Sequence, residues 1–296
     1  MRMRRLITVL SAFSLIGVGV AGVAATDAGA ATSHVCSGTA KAPGHLAGSF
    51  ANVVVRGFCA VDSGVAHVNG DVTVTPNSAL VAAFGTNHRG RGGSSLSVDG
   101  DVMVQSGGAA VIGCDPSSSP CIDDPSQSHP TLSSHDTIGR NLISNGGLGV
   151  VVHNTAVGID VVQTGGGGGL NCNPQGVFNL FQSPVFTTFE DMTVGGNIRI
   201  GDVNTCWGGI ARVHVGGDVV LRNDKYADPD AIEVLANVIA GNLSCQGLSA
   251  TWDSGDLSNN LFPRQPEPNT VHGHRSGQCV LDSPTSAKDQ PGPGLF

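Results

Sequence analysis

The chain has 296 residues, a formal charge of −8, 13% charged side chains and 4% aromatic ones. An acidic balance of this kind lacks the basic patches that nucleic acid or an anionic membrane surface needs, so neither is an expected partner. Forty-three glycines against ten phenylalanines, two tryptophans and one tyrosine argue for an interior filled by small branched side chains rather than rings.

The chain opens with Arg2, Arg4 and Arg5, an apolar stretch over about residues 6–25, and the small residues Ala28-Gly29-Ala30. This pattern predicts a secretory signal peptide over residues 1–30. Its removal takes away three arginines and Asp27, which moves the formal charge from −8 to −10. A single β domain is expected over 31–281, followed by a disordered tail over 282–296. The product is expected to be secreted, extracellular or loosely held at the cell wall, with no membrane attachment after cleavage.

A short cassette then recurs: an apolar residue, two residues rich in glycine, Asp or Asn, and an apolar alternation. It reads Val68-Asn69-Gly70-Asp71-Val72, Val98-Asp99-Gly100-Asp101-Val102, Val194-Gly195-Gly196-Asn197-Ile198, Val215-Gly216-Gly217-Asp218-Val219 and Ile239-Ala240-Gly241-Asn242-Leu243. Looser copies place Asn141 and Asp160 in the polar position. The two-residue period is that of a strand, and the polar step reads as a sharp bend, with glycine at positive φ and Asp or Asn either left-handed or capping nearby backbone with its side chain. Polar positions 141 and 160, 197 and 218, and 218 and 242 stand 19, 21 and 24 residues apart, which suits one coil of short strands. Longer intervals hold loops at 115–135 and 165–190.

Two all-β solutions compete. A sandwich or barrel would pair strands as antiparallel hairpins. A parallel β-helix would stack equivalent residues of successive coils, and the recurrence of the same residue type at the same place favours it. Val72, Val102, Leu142, Ile198, Val219 and Leu243 are then expected inside.

At these cassettes the chain resembles secreted Gly-Asp/Gly-Asn β-repeat proteins of high-GC Gram-positive bacteria. The match extends through Asn237-Val238-Ile239-Ala240-Gly241-Asn242-Leu243-Ser244-Cys245, Asn269-Thr270-Val271-His272-Gly273 and Gly277-Gln278-Cys279. The resemblance implies a right-handed parallel β-helix, or solenoid, with loop insertions, and brings no activity with it.

All eight cysteines follow the cleavage site, an even count that predicts disulfides rather than a metal site. Eight cysteines allow 105 connectivities. Chain order favours the local pairs Cys36 with Cys59, Cys114 with Cys121, Cys172 with Cys206, and Cys245 with Cys279, the first and last fastening the ends.

No cofactor, metal site or catalytic set is expected. The Asp/Asn column supplies one oxygen per coil, too few to converge on calcium. Asp123-Asp124 has the form of the paired carboxylates of polysaccharide hydrolases but lies in a Pro/Ser-rich loop. Asp228, Asp230 and Glu233 read as a solvated loop, and His272 and His274 as an exposed segment without a third ligand. Replacing Asp123, Asp124, Asp228 and Asp230 is therefore expected to change little beyond charge. The run 165–169 of five glycines reads as a flexible turn. Phe178, Phe181, Phe186 and Phe189 hold four of thirteen aromatics, with Trp207 one coil on. This group is either a packed cover for an apolar face or a stacking platform, and it is the expected binding site. The function expected is that of a secreted structural or binding solenoid whose partner is a cell-wall polysaccharide or another surface protein. The competing class is a β-helical carbohydrate-active enzyme, which would need at least three charged groups converging in one groove.

Overall fold

The computed structural model describes residues 32–88, 92–228, 232–249 and 268–280. All belong to the unit Ala31–Phe296. The expected signal peptide 1–30, the tail 282–296 and Asp230 lie outside the described residues.

Apart from the short parallel pair Asn204–Thr205 with Lys225–Tyr226, the strands form three ladders, which the chain visits in a constant order. The first ladder runs through Val72–Val74, Val102–Val104, Leu142–Asn145, Val161–Thr164, Ile198–Gly201, Val219–Arg222 and Leu243–Gln246. The second runs through Ala79–Ala82, Ala109–Ile112, Gly149–His153, Phe186–Glu190, Trp207–Ala211 and Ile232–Leu235. The third runs through Val65–Val68, Ser95–Val98, Asp136–Ile138, Thr155–Val157, Thr193–Val194, His214–Val215 and Val238–Ile239. The long strand Val53–Ala60 belongs to both the first and the second, which makes them one 17-stranded sheet beside a nine-stranded one. Every pairing between named strands is parallel. Among the described residues, antiparallel contacts are isolated bridges such as Cys114 with Ser134. The hairpins of a sandwich are thus not the organising unit.

The apolar alternation becomes columns of stacked side chains. Val53, Val72, Val102, Leu142, Val161, Ile198, Val219 and Leu243 stand in register along the first ladder, and all are buried. Val68, Val98, Ile138, Val157, Val194, Val215 and Ile239 form the matching buried column of the third. Each neighbour removes apolar area that a single coil could not hide, so stability accrues rung by rung.

The cassettes turn the chain from the third ladder into the first, and of the two expected devices it is the side-chain cap, not the left-handed backbone, that does so. None of the Asp or Asn residues in the column has positive φ. Instead, each side-chain oxygen accepts the backbone N–H of the equivalent residue one rung on. The chain of bonds runs from Asn52 through Asp71, Asp101, Asn141, Asp160, Asn197, Asp218 and Asn242 to the N–H of His274, at 2.6 to 3.1 Å. Where Asn follows Asp, its Nδ2 also donates to the Asp oxygen, at 2.8 to 3.0 Å. A carboxylate followed by a carboxamide gains a donor, whereas at Asp71 and Asp101 two carboxylates are stacked and joined by the backbone bond alone. The preceding glycine makes room for the reaching side chain. A Cβ on Gly241 would stand 2.3 Å from Asp218 Oδ1.

The other two corners use the left-handed backbone. Asn154, Asp191, Arg212 and Ala236, at φ 43 to 55°, follow strands of the second ladder, and Asp202 and Asn223 follow strands of the first. The glycine run at 165–169 is a built turn rather than a flexible one. All five residues have positive φ, and Gly165, Gly167 and Gly169 donate to Gly201, Gly147 and Asn204 at 2.8 to 2.9 Å.

Disulfides join Cys36 to Cys59, Cys114 to Cys121, Cys172 to Cys206 and Cys245 to Cys279. Four such bonds fit an oxidising compartment. Among the described residues no helix is long and apolar enough to cross a membrane.

Candidate functional site

The two long departures from the repeat meet on one surface, the outer face of the second ladder. Alternation in Ala79–Ala82, Ala109–Ile112 and Gly149–His153 sends Leu80, Ala110 and Val150 inward and Ala79, Ala109 and Val151 outward. The insertion after residue 165 then lays the short helix Phe178–Phe181 over this face. Gly149 admits it, since a Cβ there would stand 2.5 Å from the Phe178 ring. Phe178 meets Phe186 edge-on at 5.4 Å, and Phe186 stacks on Trp207 at 4.4 Å and 7°. The rings cover apolar area and add the aromatic pair term.

Most of the expected platform is therefore a packed layer. Phe178, Phe186 and Trp207 are buried within it. Phe189 points the other way, into the core, in register with Val152 and Ile210. Of the five, Phe181 alone offers substantial surface, at 37% exposure. It stands on the rim of a groove of about 450 Å³ lined also by Val111, Val151, Ile122 and Phe186. A second groove of about 440 Å³ runs on the other side of the insertion, over Ala79, Ala109, Phe58 and Leu148.

Asp123 and Asp124 are braces for the loop that walls the first groove. Asp123 accepts the N–H groups of Gly85 and Thr86 and the Thr86 hydroxyl at 2.6 to 2.8 Å. Asp124 accepts the N–H groups of Ser126, Thr131 and Leu132 at 2.7 to 3.0 Å. Those bonds, that from Ser126 foremost, hold Asp124 below the usual carboxylate range against the opposing effect of burial. The expectation that these two acids are dispensable is corrected accordingly, because truncating either to Ala takes away the acceptor of two or three backbone N–H groups. Glu233 is buried rather than solvated. His272 and His274 are exposed.

A second constellation escaped the sequence reading altogether. Beneath the Cys114–Cys121 loop, Asp115, His153, Glu190, Asp191 and Arg212 converge from four segments. Parallel register sets His153 beside Glu190, and Glu190 beside Ala211. The left-handed corners then bring in Asp191 and Arg212. Arg212 Nε lies 2.6 Å from Asp191 Oδ1, and its Nη2 lies 2.8 Å from Glu190 Oε2 and 2.7 Å from Asp191 Oδ2. His153 Nδ1 stands 4.0 Å from Glu190 Oε2. The Ser118 hydroxyl bridges Asp115 Oδ2 at 2.7 Å and Asp191 Oδ2 at 2.5 Å. Burial opposes ionisation of Asp115, but bonds from Ser117 and Ser118 outweigh it and hold the acid below its ordinary range. Burial likewise works against the Arg212 charge, and its bonds to Asp191 and the field of both carboxylates more than offset it. Asp115, His153 and Glu190 are buried, and only Asp191 and Arg212 reach the surface, at 22% and 27% exposure, so most of the set is covered rather than open to a substrate. The only sequence signal was a charged residue closing an apolar strand, in Val151-Val152-His153 and Thr188-Phe189-Glu190.

No family model matches the chain, and neither curated proteins nor solved structures give a significant match.

Proposed function

We propose that this chain is a secreted or cell-surface binding element, built as a right-handed parallel β-helix of the Gly-Asp/Gly-Asn repeat type, that holds its partner without chemistry. The observation that carries this reading is that both insertions fold onto one face and leave between them a groove of about 450 Å³ with an apolar floor and Phe181 at its rim. An aromatic edge over a shallow apolar floor suits the C–H face of a sugar ring, so a cell-wall polysaccharide is the proposed ligand, with another surface protein as the alternative partner. The solenoid supplies rigidity: parallel rungs and local disulfides leave the groove walls little freedom to move. The enzyme reading asked for three charged groups converging in a groove. Such groups do converge at Asp115, His153 and Glu190, but under a loop that keeps substrate away.

The test is retention of the oxidised protein on insoluble cell-wall polysaccharides, beside an assay for released sugar. Phe181→Ala should weaken retention at least about tenfold with an unchanged melting temperature, as expected for loss of one stacking ring. Sugar release abolished by Asp115→Asn would replace this reading with the enzymatic one.

A further inference from the structure

We propose that Asp115, His153 and Asp191 form a structural site for one divalent cation of the zinc class, locking the Cys114–Cys121 loop onto the second ladder. One donor atom from each lies within 4.8 Å of the other two. Ligands sharing a tetrahedral zinc ion stand roughly 3 to 4 Å apart, so small side-chain adjustments close the site. An imidazole nitrogen with two carboxylate oxygens is a donor set for zinc, cobalt or manganese rather than for calcium, which prefers oxygen alone. Room for the ion remains on both acids. Asp115 Oδ2 accepts one bond, from Ser118, and Asp191 Oδ1 accepts one, from Arg212, while a carboxylate oxygen has two lone pairs.

Charge supplies the independent argument. Three carboxylates, Asp115, Glu190 and Asp191, face one guanidinium, Arg212; Asp115 and Glu190 are buried, and Asp191 and Arg212 keep 22% and 27% of their side-chain surface exposed. Ionised, they leave an excess of two negative charges, and buried charge of one sign is costly unless paired. A dication cancels that excess. A proton on His153 would cancel half of it and is the competing account. The convergence is also specific to this place, since among the described residues it is the one group of three His, Cys, Asp or Glu side chains whose donor atoms come this close together. This inference does not depend on the sugar-binding reading.

The experiment uses the full oxidised chain, stripped with a chelator and titrated with Co²⁺ and Zn²⁺. We expect one Zn²⁺ per chain by elemental analysis, visible Co²⁺ ligand-field bands, and a higher melting temperature with Zn²⁺. Asp115→Asn keeps the shape of the acid and the disulfide loop, and should weaken Zn²⁺ binding by roughly 10- to 100-fold. Asp71→Asn, in the polar corner, should not weaken it. His153→Gln should remove the Co²⁺ bands; because it is a core position, circular dichroism must first show that it folds, and Asp115→Asn carries the test if it does not. No stoichiometric binding by the stripped wild type, equal binding by Asp115→Asn, or a His153 that is protonated at neutral pH by NMR in the presence of Zn²⁺ would each overturn the proposal.

Discussion

The corner between the third and first ladders and the corner after the second ladder solve the same problem in opposite ways. At the first, the side chain makes the turn: an Asp or Asn oxygen caps the next rung, and a glycine stands aside for it. At the second, the backbone makes the turn by a single left-handed residue, and Asn154, Asp191, Arg212 and Ala236 all serve. Where the side chain is spent on structure its identity is confined to Asp or Asn along the stack. Where the backbone does the work, the side chain is released for other tasks, and two of these residues, Asp191 and Arg212, join the buried charged cluster.

The contrast can be broken most severely at the glycine of the side-chain corner. Gly217→Ala would put a Cβ 2.5 Å from Asn197 Oδ1 and 2.9 Å from the Gly196 carbonyl. Both neighbours are held by rung-to-rung bonds, so the clash should cost about 2 to 3 kcal/mol in chemical denaturation. An unchanged midpoint would mean that the column yields more easily than its bonds suggest.

A milder test exchanges the partners within the column. Asn197→Asp should lose the Nδ2 donation to Asp160 and set two carboxylates together, at about 1 to 2 kcal/mol near neutral pH. Asp160 starts below its ordinary pKa: burial would raise it, but the Asn197 bonds and Arg199 prevail. Its contribution to stability is therefore present above the unfolded carboxylate pKa and fades as pH falls through the lower folded value. The variant should narrow that dependence, since its deficit shrinks as acid protonates the pair. Denaturation midpoints compared at neutral and acidic pH read this directly, and a deficit that grows in acid would refute it.

The smallest effect should appear at the backbone corner. Ala236 adopts φ 54°, a strained value for alanine. Ala236→Gly should therefore stabilise by about 0.5 to 1 kcal/mol, seen as a small rise in melting temperature. A fall would show that the methyl group packs for more than the strain costs.

These differences explain what could be read beforehand. The interior columns were legible because a two-residue period and a fixed apolar type survive every insertion, as in Val102, Leu142 and Val219. The Asp/Asn positions were legible as bends that a side chain could cap, but the target of the cap was not, since a bond from one rung to the next is invisible until the register is known. The left-handed corners carry no constant residue and left no pattern. The charged cluster was hidden for a further reason: Asp115 and Asp191 are separated by two long insertions, whose paths decide whether the two meet. The aromatic insertion was located correctly in the chain, yet which of its rings faces solvent depends on the room that Gly149 provides.

The arrangement of the disulfides has a mechanical consequence. Hydrogen bonds between rungs lie along the direction of stacking, so a pull in that direction loads them in series and strips the outermost strand first. Pulled from its ends, a stack of this kind is weakest at its terminal rungs, which have a neighbour on one side only. Among the described residues, Cys36–Cys59 and Cys245–Cys279 fasten the first and the last rung to its neighbour. Covalent bonds thus stand where peeling would start, and a protein so fastened can bear tension in its oxidised form that its reduced form would yield to strand by strand.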